Sequence, residues 1–110
     1  MTEARLKSGL WARGLMRLIE TQGGSAMMLK RGDDDAGAVL IVLTDRTGSS
    51  AVLRDSALGA GWERIPMETP EALDTYLERQ KRYDPDLWLL EFTLDDIATP
   101  VETFLPGRSE

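Results

Sequence analysis

The run Ala38-Val39-Leu40-Ile41-Val42-Leu43 is apolar at six successive positions. A strand that meets water on one side alternates apolar with polar residues; this one offers both faces to a core, so it belongs in the middle of a sheet. It is the longest strongly apolar run in the chain, far short of the about 20 residues that span a bilayer. A cleaved secretory leader is not expected either, because Arg5, Lys7, Arg13 and Arg17 interrupt the N-terminus at every turn.

The remaining elements are read outward from that strand. Leu10, Trp11, Leu15, Leu18 and Ile19 recur at helical spacing and predict a helix over about 9–22, with Ser8 as its N-cap and Gly23-Gly24 as its stop. Ala26 to Lys30 reads as a strand, joined to the apolar run by Arg31-Gly32-Asp33-Asp34-Asp35-Ala36-Gly37, a polar, glycine-bounded loop that suggests a hairpin. Asp45 to Ser50 is a turn, Ala51 to Arg54 a third strand, and Trp62 to Ile65 a short fourth one ended by Pro66. A second helix is punctuated by Thr69 as N-cap, Pro70 at its first position, and Arg79, Lys81 and Arg82 in its last turns. Its buried stripe is Leu73, Tyr76, Leu77 and Gln80, with Glu78 and Arg82 a turn apart on the surface. Leu87 to Leu94 is the last strand, with Trp88, Leu90, Phe92 and Leu94 on one face.

These elements predict one α+β domain over residues 1–110. Its sheet has four to five mostly antiparallel strands in a meander, and two helices, about 9–22 and 70–83, pack on one face. Residues 96–110 are expected to form an irregular tail that frays.

Composition then narrows the chemistry. The 110 residues include no cysteine and no histidine. That removes disulfides, thiolate zinc sites, cysteine nucleophiles, histidine general bases and imidazole metal sites. Gly23-Gly24 and Gly59-Ala60-Gly61 both precede strands, whereas a phosphate-cradling glycine loop follows a strand and opens a helix, so no nucleotide cofactor is expected. Carboxylates are the remaining acid–base equipment: Asp84 with Asp86, Asp95 with Asp96, and Glu91 within a strand. Asp33 and Asp35 with Gly37 are half of a calcium loop without the closing ligands, weak metal candidates at most.

The net charge of −6 is unevenly spread. Residues 1–31 carry Arg5, Lys7, Arg13, Arg17, Lys30 and Arg31 against Glu3 and Glu20, which is +4, and the rest carries −10. A globally acidic chain is a poor general nucleic-acid binder, so phosphate or RNA contact survives only as a local face built from Arg5, Lys7, Arg13 and Arg17. Trp11 and Trp88 fall on apolar stripes and read as core; Trp62, on a short edge strand, reads as half exposed and, beside Met27 or Met67, as a binding surface for a protein partner.

Three segments carry a family resemblance: Arg5-Leu6-Lys7-Ser8-Gly9-Leu10-Trp11, then Arg31 to Val39, then Asp84-Pro85-Asp86-Leu87-Trp88. Together they resemble small alphaproteobacterial proteins of the domain-of-unknown-function family numbered fourteen ninety-one, over nearly the whole chain and most specifically in the middle segment. The resemblance implies a bacterial cytoplasmic protein that stands as its own small domain, and it implies no reaction, ligand or partner. Three functional readings follow: a non-enzymatic interaction or regulatory module working with a protein partner or as a homodimer; an RNA- or phosphate-contacting protein; and a carboxylate-based, Mg²⁺-assisted enzyme around Asp84, Asp86 and Glu91.

Overall fold

The computed structural model describes residues 7–55 and 61–107. Its elements run α1 (Ser8–Thr21), β1 (Ser25–Lys30), β2 (Val39–Thr44), β3 (Ser50–Asp55), β4 (Trp62–Met67), α2 (Pro70–Tyr83), β5 (Trp88–Thr93) and a short 3₁₀ turn, Val101–Thr103. The strands form a five-stranded, mostly antiparallel sheet in the order β1-β5-β2-β3-β4, so the α+β reading holds.

The apolar run is central, as its composition demands. β2 pairs antiparallel with β3 and parallel with β5, matching Val39 to Trp88 through Thr44 to Thr93. The expected β1–β2 hairpin does not form, because β5 lies between the two strands and pairs antiparallel with β1. The start of β5 is likewise apolar on both faces: Trp88, Leu90 and Phe92 enter one core, while Leu89 and the preceding Leu87 enter the other. A strand with two apolar faces gains most from two strand neighbours, and the 31–38 connection is long enough to bridge a slot of about 10 Å.

The helices take opposite faces of the sheet rather than one. Trp11, Ala12, Leu15 and Ile19 of α1 pack with Val39, Ile41, Leu43, Leu53, Trp88, Leu90 and Phe92, whereas Leu73, Tyr76 and Leu77 of α2 cover Leu40, Val42, Val52, Leu87 and Leu89. Alternation along β2 dictates this, since both of its faces are buried and each needs its own cover. Leu10, expected on the apolar stripe of α1, is 63 % exposed, and Ala12 takes its place.

Helix ends follow local chemistry. Thr69 Oγ1 accepts from the Ala72 N–H at 3.0 Å, capping α2 as expected, while Glu78 pairs with Lys81 at 2.9 Å rather than with Arg82. α1 starts differently from the expectation: Lys7 occupies the cap without a side-chain bond, and Ser8 is buried with its hydroxyl donating to the Gly37 carbonyl. At the other end Gly24 N–H donates to Ile19 C=O and Gly23 N–H to Glu20 C=O, with Gly23 at φ +91°, the paired bonds of a glycine helix stop.

Pro66 sits inside β4 rather than beyond it, which an edge strand tolerates. Residues 96–107 stay on the body of the protein. Val101 and Leu105 are buried against α1, Trp11 Nε1–H donates to Pro106 C=O, and Trp62 Nε1–H donates to Leu105 C=O. Arg64 fastens the same segment, donating to both Glu102 carboxylate oxygens and to the carbonyls of Ile97 and Thr99. From the β2–β3 turn, Asp45 accepts the Ile97 N–H at 2.8 Å.

Arg64→Ala is expected to cost about 2–3 kcal/mol, because it strips the partner from a half-buried carboxylate and from two carbonyls at once. Arg64 holds the Glu102 carboxyl below its ordinary value of 4.5, so the pair's contribution is complete above that pH and is lost as pH falls through the lowered value. Urea denaturation at neutral and at acidic pH should therefore show the gap between wild type and Arg64→Ala narrowing in acid.

Candidate functional site

The described parts of the three segments that carry the family resemblance meet in space around Trp88. Its ring is fully buried, its Nε1–H donates to Asp33 C=O at 2.6 Å, and its backbone N–H donates to Ala38 C=O at 2.8 Å. The Arg13 and Arg31 guanidinium carbons lie 5.7 and 5.9 Å from the ring centroid, within reach of the attraction between a cation and an aromatic face. The α1 start joins the junction through Gly9 N–H to Asp34 C=O, and the 84–88 segment through Asp33 N–H to Asp86 C=O, both 3.0 Å. Gly32 and Gly37 allow this closeness: a Cβ on either would stand 2.2 or 2.0 Å from the Asp86 carbonyl oxygen.

The junction engages part of the charge that the sequence offers to a phosphate ligand. Lys7 pairs with Asp35 at 3.6 Å, Arg31 with Asp34 at 3.1 Å, and Arg13 lies on Trp88. Arg17 is exposed further along α1, and Arg5 lies outside the described residues. Lys30, at the end of β1, donates to the carbonyls of Pro85 and Leu87 at 2.7 and 3.0 Å.

The carboxylates are similarly occupied. Asp33 Oδ2 accepts the backbone N–H groups of Asp35 and Ala36, a turn-closing role rather than a ligand's. Among the described residues no group of three or more acidic side chains is placed to hold a metal ion. Asp84 accepts the Asp86 N–H and closes its own turn, while Glu91 sits between Met27 and Val42 on the α2 side of the sheet. None of these three lines the cleft of about 160 Å³ at the end of α1 or the open grooves along α2.

Trp62 is half buried, as expected, but its ring stacks on Trp11 with centroids 5.4 Å apart and planes at 27°. It stands on β4, across the whole sheet from Met27 on β1, so the two form no joint surface. Met67 packs instead against the core under α2.

The surface that sequence reasoning missed is β1 itself. It is an edge of the sheet, paired with β5 on one side only, and Met27 and Leu29 are 56 % and 44 % exposed. α2 covers β3 and β4 but stops short of β1. Nothing in Ala-Met-Met-Leu-Lys distinguishes an edge from a centre; the clue is the apolar run Leu87-Trp88-Leu89-Leu90 that opens β5, which claims the central slot.

These features define a small, sheet-centred protein in which a polar loop, a helix start and a strand start are locked on one tryptophan. A family model described as a protein of unknown function, DUF1491, matches residues 6–102, and the chain belongs to that family. It is similar to the crystal structure of a DUF1491 family protein from Caulobacter crescentus, at 33 % identity over 84 % of this chain and 89 % of that chain, with a TM-score of 0.73. It is also similar to the solution structure of a protein from A. tumefaciens, at 28 % identity over 87 % of this chain and 92 % of that one, with a TM-score of 0.74. No curated protein matches. Among the described residues no helix is long and apolar enough to cross a membrane.

The junction's closeness is testable. Gly37→Ala and Gly32→Ala are each expected to lose about 2–3 kcal/mol, since a backbone carbonyl must shift to admit the methyl group. Gly14→Ala, in the α1 interior with open space at its Cβ, is expected to gain about 0.5–1 kcal/mol. Chemical denaturation of the three variants reads both signs.

Proposed function

We propose that this chain is a non-enzymatic interaction module of the bacterial cytoplasm that works as a weak homodimer, pairing through the free edge of β1. The observation that carries the reading is that edge: among the described residues β1 leaves one row of backbone donors and acceptors without a strand partner, flanked by the exposed Met27 and Leu29. Antiparallel pairing of two copies centred on Met27 sets the two Met27 side chains against each other and extends the sheet across the two-fold axis. No charge lies between Ser25 and Leu29 to oppose it. The opposite edge is ill suited to the same contact, because β4 carries Pro66.

Two further observations support binding over catalysis. The chain lacks cysteine and histidine, and its candidate carboxylates close turns or stand apart. The engagement of Lys7, Arg13 and Arg31 with the junction also favours this reading over RNA contact. The bacterial relatives and the cysteine-free composition support the cytoplasm as its compartment.

Because an edge of one six-residue strand is short, with a register irregularity between Met28 and Lys30, the dimer is expected to be reversible. Sedimentation up to millimolar protein should show concentration-dependent association that Met27→Lys abolishes while changing stability by no more than about 0.5 kcal/mol. A strictly monomeric wild type, or a Met27→Lys variant that associates as strongly, overturns the reading.

A further inference from the structure

We infer that the cleft at the C-terminal end of α1 binds a small organic cation, a primary ammonium carried on a short apolar chain. The cleft encloses about 160 Å³ and is lined by Ile19, Leu94, Val101 and Phe104 together with polar groups that include Asp95. Ile19, Leu94 and Val101 are buried and make an apolar floor, while Phe104, 39 % exposed, stands at the mouth. A volume of this order is about that of a cavity that takes up benzene, which limits the ligand to a handful of heavy atoms.

The sign of the ligand's charge follows from what surrounds that floor. The C-terminal end of a helix carries partial negative charge, normally offset by a basic residue in the last turn. α1 has none there; its last turn contains Glu20 instead. Asp95 is also among the lining residues, and its solvent-exposed carboxylate adds negative charge on the open side of the cleft. Its nearest cation, Arg46, lies 3.6 Å away with both side chains largely exposed, a pair that solvent loosens and an incoming ammonium can replace. Phe104 adds an aromatic ring to the lining, a side chain that attracts cations. An anion would meet the helix end and the carboxylate together, and a neutral guest would gain from the floor alone.

Butylammonium, butanol and butyrate share one chain length and differ in the head group, so they separate the charge argument from simple filling of the cavity. In methyl-resolved NMR titrations, butylammonium should shift the Ile19, Leu94 and Val101 resonances saturably and bind about three- to tenfold more tightly than butanol, with butyrate weakest. Asp95→Asn, at an exposed position, should remove most of that preference, and Thr99→Phe, on the rim, should block the cleft for all three probes. Equal binding of the three probes, a preference unchanged in Asp95→Asn, or the absence of saturable shifts overturns the inference. The β1 edge lies outside this cleft, so none of these outcomes bears on dimer formation.

Discussion

The parallel pairing of β2 with β5 is the constraint from which the rest of the architecture follows. β2 is buried along both faces and β5 along both faces of its first half, so bringing them together creates a sheet centre that has to be covered twice. α1 supplies one cover and α2 the other, and β1 and β3 become the flanking strands. The Trp88 junction sits where this pairing begins, at the Val39–Trp88 step, and fixes its register by tying the preceding loop to the preceding turn.

Element identity was largely legible in the sequence because it rests on short-range physics. The α2 boundaries could be read from Thr69 and Pro70, and the stop of α1 from Gly23-Gly24. Topology was not legible in the same way. A glycine-bounded loop between two strands implies adjacency unless another strand competes for the slot, and that competitor lies far along the chain. The opposite placement of the helices was within reach, since a strand buried on both faces cannot be covered from one side.

Side-chain roles were harder to read than elements, and for a consistent reason. Ser8, Arg13, Lys30 and Asp33 all look like solvent-facing or capping residues in isolation, yet each closes part of one junction formed from distant segments. The separation of charge along the sequence pointed outward to a phosphate ligand, whereas the fold turns part of it inward by laying the acidic 33–35 loop against the basic start of α1. The C-terminal residues show the same pattern: their lost periodicity conceals two buried apolar anchors and an arginine clamp.

The insertion of β5 between β1 and β2 also sets the order in which the chain assembles. Each β2–β5 pair joins residues 49 positions apart, and β1 reaches the sheet only through β5. Closing the sheet therefore waits on contacts distant along the chain, a slow step by the usual relation between contact separation and folding rate.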